Sequence, residues 1–265
     1  MTAIRLVTID LDGTLLDSRQ RVSARNLAAL ERLLDARVIV ALATARDRAS
    51  IAGRLPLAMD GLYYIASGGA MVYEVAPKSI IWAETLLTAL AGEAVAFLQR
   101  FDEPVFLNDD SDYWVDRDGD RVAMIEQRYD LRTRLFAHVE DVPVPIMRVS
   151  LAAPRPVLER AAREASAAFG DRARVSLASP DWLDVLAPGA GKGQALAWLQ
   201  AHAGVRPDET MAIGDYDSDL PLFAVAGYRV AMANGVAAIR DAATHHTASN
   251  DEDGVAKALE HFFPA

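Results

Sequence analysis

Asp10-Leu11-Asp12-Gly13-Thr14-Leu15 directly follows a short apolar run, residues 4–9, near the beginning of the chain. The run is partly β-branched and predicts a buried strand. In a parallel sheet, the carboxyl ends of the strands are the usual position for a ligand. Because Gly13 allows a sharp backbone turn, we expect the carboxylates of Asp10 and Asp12 to face one pocket at such an edge.

Strands and helices alternate on both sides of this motif, which predicts parallel pairing with right-handed crossovers. The alternation covers residues 4–66 and returns from residue 195. Between them, short strands occur in pairs with helices between the pairs, an α+β pattern. We therefore predict an α/β fold in which residues 1–82 and 188–265 form a Rossmann-like parallel-sheet core, interrupted by an inserted α+β domain at 83–187.

Composition narrows the class of protein. The chain has 265 residues, no cysteine and a formal net charge of −10. Disulfides, thiolate catalysis and cysteine-based metal sites are therefore excluded, and an acidic chain without a basic surplus is unsuited to nucleic acid. No apolar run is long enough to span a bilayer, and the N-terminus reaches Asp10 too soon for a signal-peptide core. We expect a soluble, cytoplasmic protein with no nucleic acid or membrane partner.

Three further signals lie where a predicted strand ends or the next helix begins. The first is Thr44-Ala45-Arg46, whose hydroxyl and backbone N–H groups at a helix start suit a phosphate oxygen. The second is Lys192 in the glycine-rich stretch 188–193, which adds a cation to the positive end of a helix. The third is the acidic stretch 214–219, where carboxylates at Asp215, Asp217 and Asp219 are tolerable if a cation lies among them.

Rival motifs fit these stretches less well. A calcium loop needs glycine at its sixth position and glutamate at its twelfth, and neither acidic motif has them. A Walker loop needs a hydroxyl residue after its lysine, where this chain has Gly193. A metal-dependent glycosyltransferase also uses Asp-x-Asp, but that interpretation leaves the downstream signals unexplained.

Together the signals match the requirements of phosphate monoester hydrolysis, which needs a nucleophile, neutralisation of phosphoryl charge and protonation of the leaving oxygen. Asp10 fits the nucleophile that forms an aspartyl-phosphate, and Asp10 and Asp215 can hold Mg²⁺. Lys192 adds a second positive charge and Thr44 anchors phosphoryl oxygens. Asp12 is placed to give a proton to the leaving group and then to deprotonate the attacking water.

On these residues the sequence resembles the haloacid dehalogenase (HAD) superfamily, and its Cof-type, subclass IIB phosphatases in particular. Residues 10–14, Thr44, Lys192 and 214–219 match the four motifs, and the resemblance covers essentially the whole chain. It implies that the inserted domain is a type II cap of the B variant. It also implies that the backbone carbonyl of Asp12 binds Mg²⁺, that Asp219 supports the water shell of the metal, and that Arg46 faces substrate.

Two positions depart from the family pattern. Ser218 and Gly68 stand where the family commonly has asparagine. We expect Ser218 to keep a shortened contact to phosphate or to a metal-bound water, whereas a side-chain contact at Gly68 is lost. The pair His245-His246 is interpreted as a surface turn rather than a metal site.

The sequence thus predicts a HAD-type phosphoric monoester hydrolase for a small phosphorylated metabolite such as a sugar phosphate, pyridoxal phosphate or flavin mononucleotide (FMN). A phosphotransferase or phosphomutase with the same chemistry, and a catalytically silent phosphate-binding regulator, remain alternatives. The chain is expected to be a monomer or homodimer. Aromatic and sulfur side chains of the inserted domain are candidates for the leaving-group pocket, although their spacing favours a core role: Tyr113, Trp114, Met124, Tyr129 and Trp182.

Overall fold

A computed structural model describes residues 3–53, 55, 59–110, 112–143 and 145–264. In this part of the chain two sheets are present, one of eight strands and one of six. The larger sheet has the order β14-β13-β12-β1-β2-β3-β4-β5, and the smaller has the order β10-β11-β9-β6-β7-β8. The strands are β1 (Leu6–Asp10), β2 (Ile39–Ala43), β3 (Leu62–Ala66), β4 (Met71–Glu74), β5 (Ser79–Ala83), β6 (Val105–Asn108), β7 (Tyr113–Val115), β8 (Thr133–Leu135), β9 (Arg148–Ala152), β10 (Arg174–Ser179), β11 (Trp182–Leu186), β12 (Thr210–Gly214), β13 (Tyr228–Ala231) and β14 (His245–His246).

Helices cover both faces of the larger sheet, as a parallel sheet requires. On one face, Leu30 of the first helix and Leu259 of the last pack with Val7 and Ile9 of β1. On the other face, helices from the second half of the chain pack with Leu6. The helices are α1 (Ala24–Asp35), α2 (Arg48–Ala52), α3 (Thr88–Leu98), α4 (Asp120–Tyr129), α5 (Arg155–Phe169), α6 (Lys192–Ala203), α7 (Leu220–Ala224), α8 (Ala237–Ala242) and α9 (Gly254–Phe262).

The pairing along the larger sheet is parallel from β14 to β3. All five residues of β1 are buried, in accordance with its apolar sequence. Ser23 caps α1 by accepting a hydrogen bond from the backbone N–H of Asn26 at 3.1 Å. The predicted α/β class with a parallel core is therefore confirmed.

The smaller sheet is antiparallel except where β7 pairs with β8. Helices α3 and α5 cover one of its faces through an apolar cluster that includes Leu98 and Leu158. Its other face carries Phe106 and Trp182, packed partly on α4. The smaller sheet lies between β5 and α6 in the chain, and the predicted domain boundaries at 82/83 and 187/188 stay a prediction.

Several elements differ from the sequence-based expectation. The stretch Ser67–Gly69 forms one short 3₁₀ turn, after which β4 and β5 extend the larger sheet as an antiparallel hairpin. Strand β8 was also not predicted, and the expected turn at His245-His246 is a two-residue strand paired with β13. After Arg46 the sequence predicts a helix up to Pro56, whereas α2 ends at Ala52; Arg54 and Pro56 lie outside the described residues.

Two glycines lie where side chains would collide with the catalytic edge of the larger sheet. A Cβ at Gly13, whose φ is +84°, would lie 2.4 Å from Oδ2 of Asp215. A Cβ at Gly69 would lie 2.2 Å from the carbonyl carbon of Gly191, and Gly191 N donates to Gly69 O at 3.0 Å. The absence of a side chain at both positions lets three distant loops meet at the end of β1. Among the described residues no helix has the length and apolarity needed to cross a membrane.

Candidate active site

The predicted site residues converge at the carboxyl ends of β1, β2 and β12. Asp10 ends β1, Thr44 follows β2, Lys192 begins α6 and Asp215 follows β12. A cavity of about 420 Å³ lies at this edge. Seven of the eight predicted site residues line it: Asp10, Asp12, Thr44, Arg46, Lys192, Asp215 and Ser218. The eighth, Asp219, is fully buried and contacts Lys192.

Lys192 joins two carboxylates. Its Nζ donates to Oδ1 of Asp10 and to Oδ1 of Asp219, each at 2.7 Å. Burial opposes the charged ammonium, but the charges of Asp10 and Asp219 outweigh that effect and raise the pKa of Lys192. The lysine is therefore a permanent cation beside the Asp10 carboxylate.

The acidic residues crowd one another. Oxygens of Asp10, Asp215 and Asp219 lie within 4.8 Å of one another. Burial, together with the charges of Asp219 and Asp215, raises the pKa of Asp10. Burial and the charge of Asp219 also raise the pKa of Asp215 to about 7, against the hydrogen bond that Oδ1 of Asp215 accepts from Thr14 Oγ1 at 2.8 Å. A positive charge near these carboxylates would relieve the repulsion.

This donor set fits Mg²⁺. Carboxylate oxygens are the ligands that this hard cation prefers, and three carboxylates facing the one ammonium of Lys192 leave an excess of two negative charges. Asp219 has both oxygens engaged, Oδ1 by Lys192 and Oδ2 by the backbone N–H groups of Asp215 and Tyr216 at 3.1 Å. Asp10 and Asp215 are therefore the carboxylates suited to a metal. Asp219 holds Lys192 and the 215–216 backbone in place, whereas the resemblance implied a contact with the water shell of the metal.

Asp12 also lines the cavity and pairs with an arginine. Arg46 donates to its two oxygens from Nε at 2.8 Å and Nη2 at 2.7 Å. Nη2 of Arg46 also hydrogen-bonds with Gln20, and Nη1 donates to the backbone oxygen of Tyr129 in α4 at 3.3 Å. Arg46 thus links Asp12 to helix α4 of the inserted region, by which we mean residues 83–187. It also lines the cavity, and its predicted contact with substrate stays a prediction.

The next two residues after Arg46 also contact the inserted region. The Tyr113 hydroxyl hydrogen-bonds with Asp47, and Arg48 Nη2 donates to Asp110 at 3.3 Å. Burial and the Asp47 charge raise the pKa of Tyr113, although the charge of Arg148 opposes them. Three consecutive residues of the larger sheet's loop therefore hold the smaller sheet over the cavity.

Some of the side chains named as candidates for the leaving-group pocket line the cavity. Tyr113, Tyr129 and Trp182 face it. Met124 is exposed to solvent, and Trp114 donates from Nε1 to Asp109 at 3.2 Å inside the inserted region, so neither lines the cavity. Gly68 has a φ of +71° and lies against Asp184 and Leu186 of β11, where a Cβ would be 3.4 Å from Asp184.

Sequence reasoning missed several members of the site. Thr14 belongs to the first motif, and its hydroxyl could have been assigned to the acidic loop from that motif alone. Asn234 supports the same turn by donating from Nδ2 to Gly13 O at 2.8 Å, but no motif marked it. Gln20 and Arg148 also line the cavity, and they come from regions whose placement depends on tertiary packing.

Comparison with known proteins agrees with this fold. Residues 7–259 match the model of the haloacid dehalogenase-like hydrolase family. The chain belongs to this family, and as predicted it is a HAD-type phosphoric monoester hydrolase. It is 27% identical over 281 residues to the 5-amino-6-(5-phospho-D-ribitylamino)uracil phosphatase YwtE of Bacillus subtilis, covering 96% of each chain.

Two further similarities concern a longer protein and a solved structure. The chain is 30% identical over 279 residues to the chloroplastic endoribonuclease YBEY of Arabidopsis thaliana, with 94% of this chain matched. It spans only 45% of that protein, so we do not infer the activity in that name for this chain. The crystal structure of a haloacid dehalogenase-like hydrolase from Bacteroides thetaiotaomicron superposes with a TM-score of 0.87 at 24% identity, covering 98% of this chain and 100% of the other, and this shows the shared fold.

Proposed function

We propose that this chain is a Mg²⁺-dependent phosphatase that hydrolyses small phosphorylated metabolites through an aspartyl-phosphate on Asp10. The carrying observation is the position of the Asp10 carboxylate, which lies in the cavity with its Oδ1 bonded to Lys192. The name of the Bacillus subtilis relative, a phosphatase of a phosphorylated ribitylaminouracil, supports a small phosphorylated substrate. A cytoplasmic location and a monomeric or homodimeric state remain predictions.

In the first step, an oxygen of Asp10 attacks phosphorus and the bond from phosphorus to the leaving oxygen breaks. Lys192 and the Thr44 hydroxyl bind phosphoryl oxygens, and Ser218, on the cavity wall, contacts the same group. Asp12 gives its proton to the leaving oxygen, which departs as the alcohol. Mg²⁺ held by Asp10, Asp215 and the backbone carbonyl of Asp12 would neutralise phosphoryl charge.

In the second step, Asp12 removes a proton from a water molecule that attacks the phosphorus of the aspartyl-phosphate. The bond between phosphorus and Asp10 breaks, inorganic phosphate leaves, and the carboxylate of Asp10 is restored. Asp12 regains its proton in this step and is ready for the next turnover. The smaller sheet, held over the cavity by residues 46–48, keeps bulk water away from the intermediate.

Acetyl phosphate separates the two steps, because its leaving group needs no proton. Asp12→Asn should still be phosphorylated by acetyl phosphate and should accumulate a phosphoryl group on Asp10, detected by acid quench, intact mass and peptide mapping. Asp10→Asn should show neither turnover nor labelling. Hydrolysis by Asp10→Asn at the parent rate, or a label on another residue, would refute the assignment of the nucleophile.

The same assay distinguishes the alternative activities. A phosphotransferase would release little inorganic phosphate until an acceptor alcohol is added. A silent regulator would bind vanadate in the presence of Mg²⁺ without any turnover. Release of phosphate in buffer alone, abolished by EDTA and restored by Mg²⁺, is the result we expect.

A further inference from the structure

The cavity has two chemically different halves. The half formed by the larger sheet is charged and contains Asp10, Asp12 and Lys192. The half formed by the inserted region, which we call the roof, is mainly apolar and aromatic. The apolar and aromatic roof residues are Tyr113, Tyr129, Leu131, Ala178, Pro180 and Trp182.

Two of the three aromatic rings of the roof, Tyr129 and Trp182, are held in place by packing. Tyr129 and Trp182 meet edge to face, with ring centroids 6.1 Å apart and an interplanar angle of 67°. Trp182 is mostly buried and also meets Phe106 edge to face at 4.7 Å. Rings fixed in this way offer a preorganised surface to a flat group at little entropic cost.

The charges of the roof are already neutralised by partners from the same region. Arg148 Nη1 donates to Asp184 at 3.0 Å, and both side chains are buried. Arg128 Nη1 lies 2.6 Å from Asp181. Each roof arginine therefore has its own carboxylate, and the roof presents no unbalanced positive charge to a second anionic group of a substrate.

The hydroxyl groups of the two roof tyrosines already have partners as well. The Tyr113 hydroxyl accepts from Arg148 Nη2 at 3.2 Å, and the Tyr129 hydroxyl donates to Asp181 at 3.3 Å. A leaving group with several hydroxyls would lose its bonds to water here without gaining equivalent partners. Each buried hydroxyl left without a partner weakens binding of such a substrate.

From these observations, and resting on the proposed phosphatase function, we infer that the roof selects phosphate monoesters of flat, uncharged aromatic or heteroaromatic alcohols. The phosphate binds beside Asp10 and Lys192, and the ring lies against Tyr129 and Trp182. Sugar phosphates and esters with a second anionic group are poor substrates. We attribute this preference for flat leaving groups to the roof residues of this chain.

Matched substrates test the inference on the unmodified enzyme. Benzyl phosphate and cyclohexylmethyl phosphate differ mainly in the planarity of the ring, glucose 6-phosphate is rich in hydroxyls, and 4-carboxybenzyl phosphate adds a charge. We expect kcat/KM for benzyl phosphate to exceed that for each of the other three at least fivefold. Equal or greater kcat/KM for cyclohexylmethyl phosphate or glucose 6-phosphate would overturn the inference.

A variant pair locates the selectivity. Tyr129→Leu should bring the benzyl to cyclohexylmethyl ratio close to one, whereas Tyr129→Phe should keep most of it. Met124→Leu, on the exposed side of the same helix α4, serves as the control outside the cavity and should leave the ratio unchanged. An unchanged ratio in a folded Tyr129→Leu enzyme would also overturn the inference.

Hydrolysis of acetyl phosphate distinguishes a failure of this inference from a failure of the proposed function. Its small leaving group does not need the roof, so its hydrolysis reports on the charged half of the cavity. If the enzyme hydrolyses none of the compounds, acetyl phosphate included, the phosphatase proposal is overturned. Hydrolysis of acetyl phosphate without a preference for the flat ring would overturn only the proposed selectivity.

Discussion

Arg46 binds both carboxylate oxygens of Asp12, with Nε at 2.8 Å and Nη2 at 2.7 Å from them. The same guanidinium donates to the backbone oxygen of Tyr129 in the inserted region. The residue proposed to move the proton is therefore oriented by a group that also contacts the roof. The position of the inserted region and the alignment of Asp12 are linked through one planar side chain.

The first prediction follows from this pair. Arg46→Lys keeps the positive charge but loses the paired geometry of the guanidinium, so Asp12 is no longer held from two directions. We expect kcat for a substrate with a poor leaving group to fall at least tenfold, with a smaller loss for acetyl phosphate, measured by phosphate release. Arg48→Lys is the control, because Arg48 contacts Asp110 and not Asp12. Equal losses for both substrates in Arg46→Lys would contradict a role through Asp12.

Lys192 offers a test of stability. Removing its ammonium leaves Asp10 and Asp219 buried without the cation that both bind. We expect Lys192→Met to lower the free energy of unfolding by about 3 kcal/mol in EDTA and to abolish activity. Urea denaturation followed by circular dichroism measures the change, and Lys257→Met, at an exposed position, is the control. Adding Asp219→Asn to Lys192→Met should recover part of the loss, and no recovery would argue against this charge balance.

The raised pKa of Asp215, about 7 against an ordinary 3.8, predicts a pH-dependent affinity for metal. A carboxyl whose pKa is raised by folding stabilises the metal-free protein fully below pH 3.8, and this contribution is lost as the pH rises through 7. Mg²⁺ binds the ionised form and must displace a proton at lower pH. We expect the Mg²⁺ affinity to fall about tenfold from pH 8 to pH 6, measured by calorimetric titration. A constant affinity over this range would show that Asp215 is ionised throughout.

Thr14 gives a prediction about a single hydroxyl. Its Oγ1 donates to Oδ1 of Asp215 inside the protein, and a hydrogen bond to a charged group contributes about 1.5–3 kcal/mol. Thr14→Val keeps the shape of the side chain but removes the donor, so both the stability and the Mg²⁺ affinity should fall. Thr14→Ser keeps the donor and is the matched control. Thermal unfolding with and without Mg²⁺ measures both effects, and identical behaviour of the two variants would exclude a role for the hydroxyl.

The sequence was sufficient to predict the parallel core and the convergence of Asp10, Thr44, Lys192 and Asp215. Each of these residues lies beside a strand end or a helix start, and the geometry of a parallel sheet brings such positions to one edge. The hairpin β4–β5 was missed because it follows directly on the Ser67–Gly69 turn and is antiparallel, outside the strand–helix rhythm.

The contacts of long side chains at the site could not be predicted from the sequence. Whether Arg46 faces substrate or Asp12 depends on side-chain reach, which spacing does not determine. The contacts of Asp219 were also not predicted, since they come from a turn whose backbone N–H groups face inward. Its predicted support of the metal's water shell stays a prediction. Roof residues such as Arg148 meet the motifs only through tertiary contacts between the inserted region and the loops of the larger sheet.

The hydrogen bond between Gly69 and Gly191 has a consequence for how such a chain can diversify. These two residues flank the inserted region, and their contact involves main-chain atoms alone. The backbone contact that keeps Lys192 in place thus needs no side chain at either glycine, and of the insertion the Arg174 side chain lies beside Gly191. The roof residues can therefore change over evolutionary time and alter substrate specificity, while the site residues of the larger sheet stay aligned.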